Sequence, residues 1–139
     1  MQILHTTIIA GTHGKGLYPL THVIEGWIRK QNLSNGLLTV FIQHTSCSLV
    51  IQENADPDVR LDLRDFFERL VPEDDEHFRH TAEGPDDMTS HIRSTLTQTS
   101  LSIPLISGRL ALGTWQGLYI FEHRAHAHQR HVVLQLIGE

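Results

Sequence analysis

The chain has 139 residues, the size of one domain and enough to bury a hydrophobic core without stabilising disulfides. Its formal net charge of −5, with histidines neutral, disfavours electrostatic binding to nucleic acid. No apolar run is long enough to span a bilayer, so we expect no membrane association. The N-terminal segment lacks a secretory pattern and the single cysteine, Cys47, cannot form an internal disulfide, so we expect a cytoplasmic location.

Seven strands are predicted from β-branched and apolar runs bounded by turn residues. Three lie in the first half of the chain, at 3–10, 37–43 and 48–52, and the segment 11–16 is predicted as a loop. Four follow in the last third, at 101–106, 109–114, 116–122 and 131–137. Runs of adjacent strands favour an α+β fold over alternating βαβ units. We therefore expect a single domain, residues 1–139, with a twisted antiparallel-rich sheet and about three helices.

Three helices are predicted between these strands. Apolar residues spaced at i, i+3, i+4, i+7 and i+8 from Leu20 indicate an amphipathic helix that ends before 32–36. The pair Asp56–Pro57 is a favourable helix start, an N-cap carboxylate followed by proline, and helical spacing continues to residue 70. A third helix is predicted from residue 86 or 87 to about residue 99. The polar connection 71–85 before it is long for a compact domain, and such loops are often functional.

Histidine is unusually frequent, with 11 residues. It is the commonest ligand of transition metals and it titrates near neutral pH. The composition therefore favours a metal site or an acid–base site, although most of the histidines are expected to be solvated or structural.

The segment from His80 to Arg93 is the strongest candidate for chemistry. Asp87 and His91 are four residues apart in the predicted helix, so their side chains share a face, and His80 lies in the loop that leads into it. Nitrogen and oxygen donors of this kind suit zinc or a similar divalent metal. The alternative is that Asp86 and Asp87 only cap the helix and that His91 lies on the surface, and the spacing by itself slightly favours that alternative.

A second candidate segment begins at the end of an apolar strand and runs from His44 to Asp56. His44 is a candidate metal ligand or general base, and Glu53 and Asn54 are suited to orienting a ligand or binding a polar substrate. Ser46 is placed with them as a substrate contact. The alternative is a strand–turn–strand in which Ser and Thr bond to local backbone and Asp56 is a simple cap.

The last third of the chain adds further candidates. Glu122 and Arg124 lie at the end of a strand, from where they could reach a site. Trp115 stands between two glycines and is either the wall of a pocket for a flat ring or an ordinary core residue. The lone Cys47 is expected to be a small buried side chain and not a nucleophile. Three histidines are interpreted as parts of a solvated hairpin loop: His126, His128 and His131.

Four segments together resemble a known family. They are QHTSCSLVIQENADPDVRLDLRDFF, HTAEGPDDMTSHIRS, GRLALGTWQGLYIFEHR and the C-terminal VVLQLIGE. Their order and spacing are similar to those of the YjbQ-like secondary thiamine-phosphate synthase family, and the resemblance covers the chain from about Thr6 to Glu139. It implies an α+β fold, a homotrimer and a reaction that joins an aminopyrimidine pyrophosphate to a thiazole phosphate. Cys47 occupies a position where many members carry alanine, and Arg124 one where some carry an acidic residue.

The resemblance and the motifs together give one expected site, in a transferase that acts on small phosphorylated metabolites. Three histidines are expected to bind a divalent metal, zinc or magnesium: His44, His80 and His91. Four residues are expected to take part in catalysis: Glu53, Asp87, Arg93 and Glu122. Four are expected to contact the substrate: Ser46, Asn54, Trp115 and Gln116. Two alternatives stay open, a metal-dependent hydrolase of a small phosphate ester and a non-catalytic trimeric protein that binds a metal or metabolite.

Overall fold

The computed structural model describes residues 1–73 and 75–139, which form eight strands and three helices. In chain order the elements are β1 (Gln2–His13), β2 (Gly16–Pro19), α1 (Thr21–Arg29), β3 (Gly36–Ile42), β4 (Cys47–Glu53), α2 (Pro57–Leu70), α3 (Asp87–Leu96), β5 (Ser100–Ile106), β6 (Arg109–Leu110), β7 (Gln116–Glu122) and β8 (Ala127–Gly138). The predicted α+β fold with three helices is confirmed. None of the helices in the described ranges is both long and apolar enough to cross a bilayer.

The strands form two antiparallel sheets, where the sequence predicted one. The larger sheet has the order β1-β8-β3-β5-β6 and the smaller has the order β2-β7-β4. One hydrophobic core joins them, with buried residues of β3, β5 and β8 from the larger sheet and of β4 and β7 from the smaller. Because β7 and β8 belong to different sheets, the chain crosses from one sheet to the other between Glu122 and Ala127.

The three helices begin where the sequence predicts, and only α3 ends elsewhere than predicted. The Asp56 carboxylate accepts a hydrogen bond from the Asp58 N–H at 2.9 Å, so the predicted start of α2 is confirmed. Helix α3 ends at Leu96, three residues before the predicted end. The chain becomes extended at residue 97, and the carbonyls of the next two residues accept from the backbone of β4 and from Ile42. Tertiary strand pairing therefore overrides the helical pattern there.

Three strand boundaries differ from the prediction. Residues 11–13, predicted as loop, continue β1 because they pair with 127–129 of β8. Strand β8 therefore begins at Ala127, and the interpretation of two histidines as hairpin loop is wrong: His128 and His131 lie in this strand. Strand β6 has two residues in place of six, because the chain turns at Gly113, whose N–H donates to Gln116 Oε1 at 2.8 Å. In the predicted connection 71–85, residue 74 lies outside the described residues.

Candidate metal centre

Three side chains from the segment 80–91 converge at the N-terminal end of α3. One carboxylate oxygen of Asp87, Oδ2, lies 2.6 Å from His80 Nε2 and 3.0 Å from His91 Nε2. The three ligand atoms all lie within 4.8 Å of one another, which brings them within reach of a single cation. The structure thus brings together the loop histidine, the first-turn carboxylate and the helical histidine, an arrangement that the spacing by itself slightly disfavoured.

Three different segments position this cluster. Asp87 begins α3 and His91 follows one turn later on the same helical face. His80 comes from the connection that precedes the helix. The loop between β3 and β4 adds the Thr45 carbonyl, which accepts a hydrogen bond from His91 Nδ1–H at 2.9 Å. Asp87 is buried, whereas the imidazoles remain partly exposed, so the cluster opens to solvent on the histidine side.

The hydrogen bond to Thr45 determines which protonation states of His91 are compatible with this geometry. Because Nδ1 faces a carbonyl oxygen, it must carry the proton, and a neutral His91 then has a lone pair on Nε2. That lone pair faces Oδ2 of Asp87, which is also an acceptor. A contact of 3.0 Å between these atoms is compatible with an ion pair or with a metal ion bound by both.

Asp87 is held in its charged form although it is buried. Burial opposes ionisation, but hydrogen bonding by His80 and the nearby charge of Arg124 hold the pKa of Asp87 below its ordinary value. Arg124 Nη1 donates to Asp87 Oδ1 at 2.5 Å. The carboxylate therefore offers one oxygen to the imidazoles while the other is bonded to a guanidinium.

The donor set fits a zinc-type ion better than magnesium. Zinc and its neighbours bind imidazole nitrogen together with carboxylate oxygen, whereas magnesium prefers oxygen ligands and keeps several waters. The hydrogen bond of His91 Nδ1–H to a backbone carbonyl is also the usual way in which a ligating imidazole is oriented. The separation of 2.6 Å between His80 and Asp87 is a hydrogen-bond distance, so His80 would move outward for both atoms to bind one ion.

The structure does not bring His44 into this cluster. Its Nε2 accepts from the backbone N–H of His131 at 2.7 Å, and its Nδ1 lies 3.3 Å from Arg130 Nη1. Burial, reinforced by the charge of Arg130, lowers the pKa of His44. Both ring nitrogens thus face protein donors, and the place expected for a third histidine beside His80 and His91 is taken by Asp87.

Two of the residues expected in catalysis are buried and engaged with other protein groups. Glu122 is fully buried and accepts from Arg130 at 2.7 and 2.5 Å and from Thr12 at 2.5 Å. Arg93 is also buried, and it donates to Glu68 at 3.3 Å and to the Val71 carbonyl at 2.8 Å. The Glu122 contacts link the end of β7 to β8 and β1, and the Arg93 contacts link α3 to the C-terminal part of α2.

The residues predicted to contact the substrate, together with Glu53, which was predicted to take part in catalysis, are divided between two ends of the smaller sheet. The pairs Cys47–Glu122 and Glu53–Gln116 lie at opposite ends of the β4–β7 ladder. Seven-residue strands separate these ends by about 20 Å. Ser46, beside Thr45, lies at the end nearer the cluster. Four residues lie at the far end: Glu53, Asn54, Trp115 and Gln116.

The far end is a compact turn with its own hydrogen bonds. Asn54 Nδ2 donates to the Thr114 carbonyl at 3.4 Å, and the Gln116 side chain accepts from Gly113. Glu53 accepts from the Asp56 N–H at 3.2 Å. Trp115 is 62 % exposed and therefore is not the core residue that one interpretation proposed. Within one chain, the structure does not bring the four residues of this far end to the cluster of His80, Asp87 and His91.

Sequence reasoning missed one part of the site, the Thr45 carbonyl, which is a backbone group that no side-chain motif could reveal. It placed Arg124 at the end of a strand from where it could reach a site. The structure bears this out, because Arg124 lies two residues after the end of β7 and contacts Asp87.

The fold and the cluster define an α+β protein with a candidate metal centre of two histidines and one aspartate. The chain belongs to the family described as UPF0047 protein YjbQ-like, which it matches over residues 5–139. It is 52 % identical to the UPF0047 protein sll1880 of Synechocystis over 95 % of this chain and 90 % of that protein. It is 42 % identical to the UPF0047 protein YjbQ of Escherichia coli O157:H7 over 96 % of each chain.

Two solved structures share the fold. A conserved hypothetical protein from Thermus thermophilus has a TM-score of 0.85 at 31 % identity and covers 95 % of this chain and 99 % of that one. A YbjQ-like protein from Sulfolobus solfataricus has a TM-score of 0.90 at 20 % identity, over 99 % of each chain. The likeness of fold therefore extends over 95 % of this chain in the first comparison and 99 % in the second.

Proposed function

We propose that this protein is a metal-dependent enzyme that acts on a small phosphorylated metabolite. The observation that carries the proposal is the single carboxylate oxygen of Asp87 placed between His80 Nε2 and His91 Nε2. Since the proton of His91 is committed to Thr45, the position between these acceptors is suited to a cation. His80, Asp87 and His91 would hold the ion, and a divalent ion would supply positive charge to phosphate oxygens.

The first reaction to test is the formation of thiamine phosphate, which the family resemblance suggests. An aminopyrimidine pyrophosphate loses pyrophosphate and forms a carbon–nitrogen bond to a thiazole phosphate. Charge on the departing pyrophosphate must be neutralised, which a divalent ion can do. The residues of this chain would hold that ion and orient the leaving group. Arg93, expected to contact phosphate, would have to leave Glu68 and Val71 to do so.

The size of the adjacent cavity favours a second candidate, the hydrolysis of a small phosphate ester. A cavity of about 250 Å³ lies beside His80, with Phe78, Pro85 and Met88 among its lining residues. Small-molecule pockets usually enclose about 300–1,000 Å³. This cavity is therefore better matched to a compact ester than to two heterocyclic substrates together.

The outer face of the larger sheet supports the proposal of a homotrimer. The register places Ile3 opposite Ile137, Ile137 opposite Leu37 and Leu37 opposite Pro104, so an apolar row crosses four strands. Ile3, Leu37 and Ile137 are exposed. The helices make their main contacts with β2, β4, β6 and β7, not with this row. A contiguous apolar row on an uncovered sheet is typical of an interface, and we assign it to further copies of this chain.

The test begins with metal content. Protein purified without a histidine tag is loaded with zinc, and bound metal per chain is measured for the wild type, His80→Ala and His91→Ala. His22→Ala is the matched control, because the His22 side chain is 98 % exposed. We expect about one zinc per chain in the wild type and the control and a large loss in both cluster variants. Equal metal content in all four proteins would refute the centre.

Turnover then separates the alternatives. The loaded wild type is assayed for thiamine phosphate formation and for phosphate release from small esters. A rate near or above ~1 per second in one assay, lost in His91→Ala, assigns that reaction. Stoichiometric metal with neither activity would contradict the enzyme and leave the non-catalytic binding protein.

A further inference from the structure

Arg124 donates a hydrogen bond to the Asp87 carboxylate of the proposed metal centre. Its Nη1 donates to Asp87 Oδ1 at 2.5 Å, its Nε to Asp86 Oδ2 at 2.9 Å and its Nη2 to the Glu83 carbonyl at 3.0 Å. One guanidinium thereby links the crossover after β7 to the start of α3 and to the loop that carries His80.

The guanidinium is itself firmly held. Asp86 is buried, and its Oδ2 also accepts from the Ala125 N–H at 2.8 Å. Burial disfavours the charged form of Asp86, but the hydrogen bonds from Ala125 and Arg124 hold its pKa below the ordinary value. Because Arg124 is anchored on Asp86 and Glu83, it cannot turn away from Asp87 without breaking two further hydrogen bonds.

A carboxylate can bind a metal through one oxygen or through both. In this structure Oδ1 of Asp87 is bonded to Arg124, and only Oδ2 faces the imidazoles. We propose that Arg124 is a positioning residue that restricts Asp87 to coordination through Oδ2 alone. This inference rests on the metal centre of the proposed function.

The consequence is a coordination position kept free for substrate. Two imidazoles and one carboxylate oxygen supply three ligand atoms, and zinc-type ions in enzymes commonly combine three protein ligands with one open position. If Asp87 bound through both oxygens, it would occupy a fourth position. Arginine suits this task better than lysine, since its planar fork can hold two carboxylates and a carbonyl at once.

Cobalt(II) provides the test, because its visible absorption is intense in four-coordinate sites and weak in five- or six-coordinate sites. The cobalt-loaded wild type is compared with Arg124→Gln and Arg124→Lys, and Arg109→Gln, at an exposed arginine of β6, is the matched control. We expect the absorption per bound cobalt to fall by roughly a factor of two or more in both Arg124 variants and to stay unchanged in the control. Unchanged intensity in Arg124→Lys and Arg124→Gln would overturn the inference.

A second measurement covers the case in which the variants fail to fold. X-ray absorption and a crystal structure of the zinc-loaded wild type report whether one or both oxygens of Asp87 bind the metal. Coordination through both oxygens would overturn the inference without any substitution, and coordination through Oδ2 alone supports it.

Failure of the metal centre itself gives a different result. If the wild type takes up no cobalt, or if His91→Ala takes up as much, the proposed function is wrong and the role of Arg124 is wrong with it. If the wild type binds cobalt at the cluster but the Arg124 variants keep its spectrum, only the role of Arg124 is wrong.

Discussion

The buried side chain of His123 is expected to make the free energy of unfolding of this protein depend on pH. It is fully buried at the end of β7, its Nε2 lies 2.9 Å from Ser48 Oγ, and its Nδ1 has no hydrogen-bond partner among the described residues. Burial, reinforced by the positive charges of Arg93 and Arg130, lowers the pKa of His123 to about 3. The native protein therefore keeps this imidazole neutral at pH values where an unfolded chain protonates it.

The sign and size of the effect follow from proton linkage. Between the unfolded pKa of about 6.5 and the native pKa, the unfolded chain binds one more proton at this residue than the native protein does. The contribution of His123 to the free energy of unfolding is therefore fully present above about pH 7. As the pH falls below the unfolded pKa, this contribution decreases by about 1.4 kcal/mol per pH unit. At pH 5 the loss amounts to about 2 kcal/mol.

The assay is urea unfolding of chelator-treated wild type and His123→Gln at pH 7 and pH 5. Glutamine retains a polar nitrogen or oxygen for Ser48 and does not titrate. We expect the wild type to lose about 2 kcal/mol more than the variant between the two pH values. Buried carboxylates and His44 contribute equally to both proteins, so they cancel in the difference. His22→Gln is the control and should behave as the wild type, and equal losses in His123→Gln and wild type would refute the reasoning.

Two further predictions test the buried charges and the exposed sheet. Arg130→Met leaves the fully buried carboxylate of Glu122 without its ion-pair partner, so we expect a loss of about 3–5 kcal/mol in urea unfolding, partly recovered when Glu122→Gln is added. Failure of the double variant to recover would show that the unpaired charge is not the cause. Ile3→Lys should convert the proposed homotrimer to monomer in analytical ultracentrifugation, whereas Leu96→Lys, also at an exposed apolar side chain, should not. Identical sedimentation of both variants would contradict the assigned interface.

The fold was predictable as far as local signals extend. The Asp56–Pro57 start of α2 and the apolar spacing of α1 depend on neighbouring residues, and both are confirmed. The division of the strands into two sheets depends on which strands pair, and no local pattern encodes that β7 joins β4 while β8 joins β1. The end of α3 was misplaced for the same reason, since a distant strand competes for its last residues.

The candidate site was predictable where it is built on one helix. Asp87 and His91 share a helical face by simple geometry, and the structure brings them together. The same geometry argues against a role for Arg93 in this site. Arg93 follows His91 by two residues, which rotates its side chain by about 200° around the helix. Helical periodicity alone was therefore sufficient to place Arg93 on the opposite face from His91. The separation of Glu53 from the cluster, by contrast, required the strand register.

The two faces of α3 explain why the cluster is well defined. Away from the ligand face, Thr89 and Arg93 are buried, and one turn beyond His91 the Ser94 Oγ donates to the Cys47 carbonyl of β4 at 3.2 Å. A helix fixed in this way holds Asp87 and His91 in place before any ion binds, which is the arrangement that precise sites require. His80 differs, because it lies on the preceding loop and contacts the cluster through the Asp87 carboxylate. Arg124 orients the Asp87 carboxylate, and this orientation therefore determines where the His80 imidazole can lie.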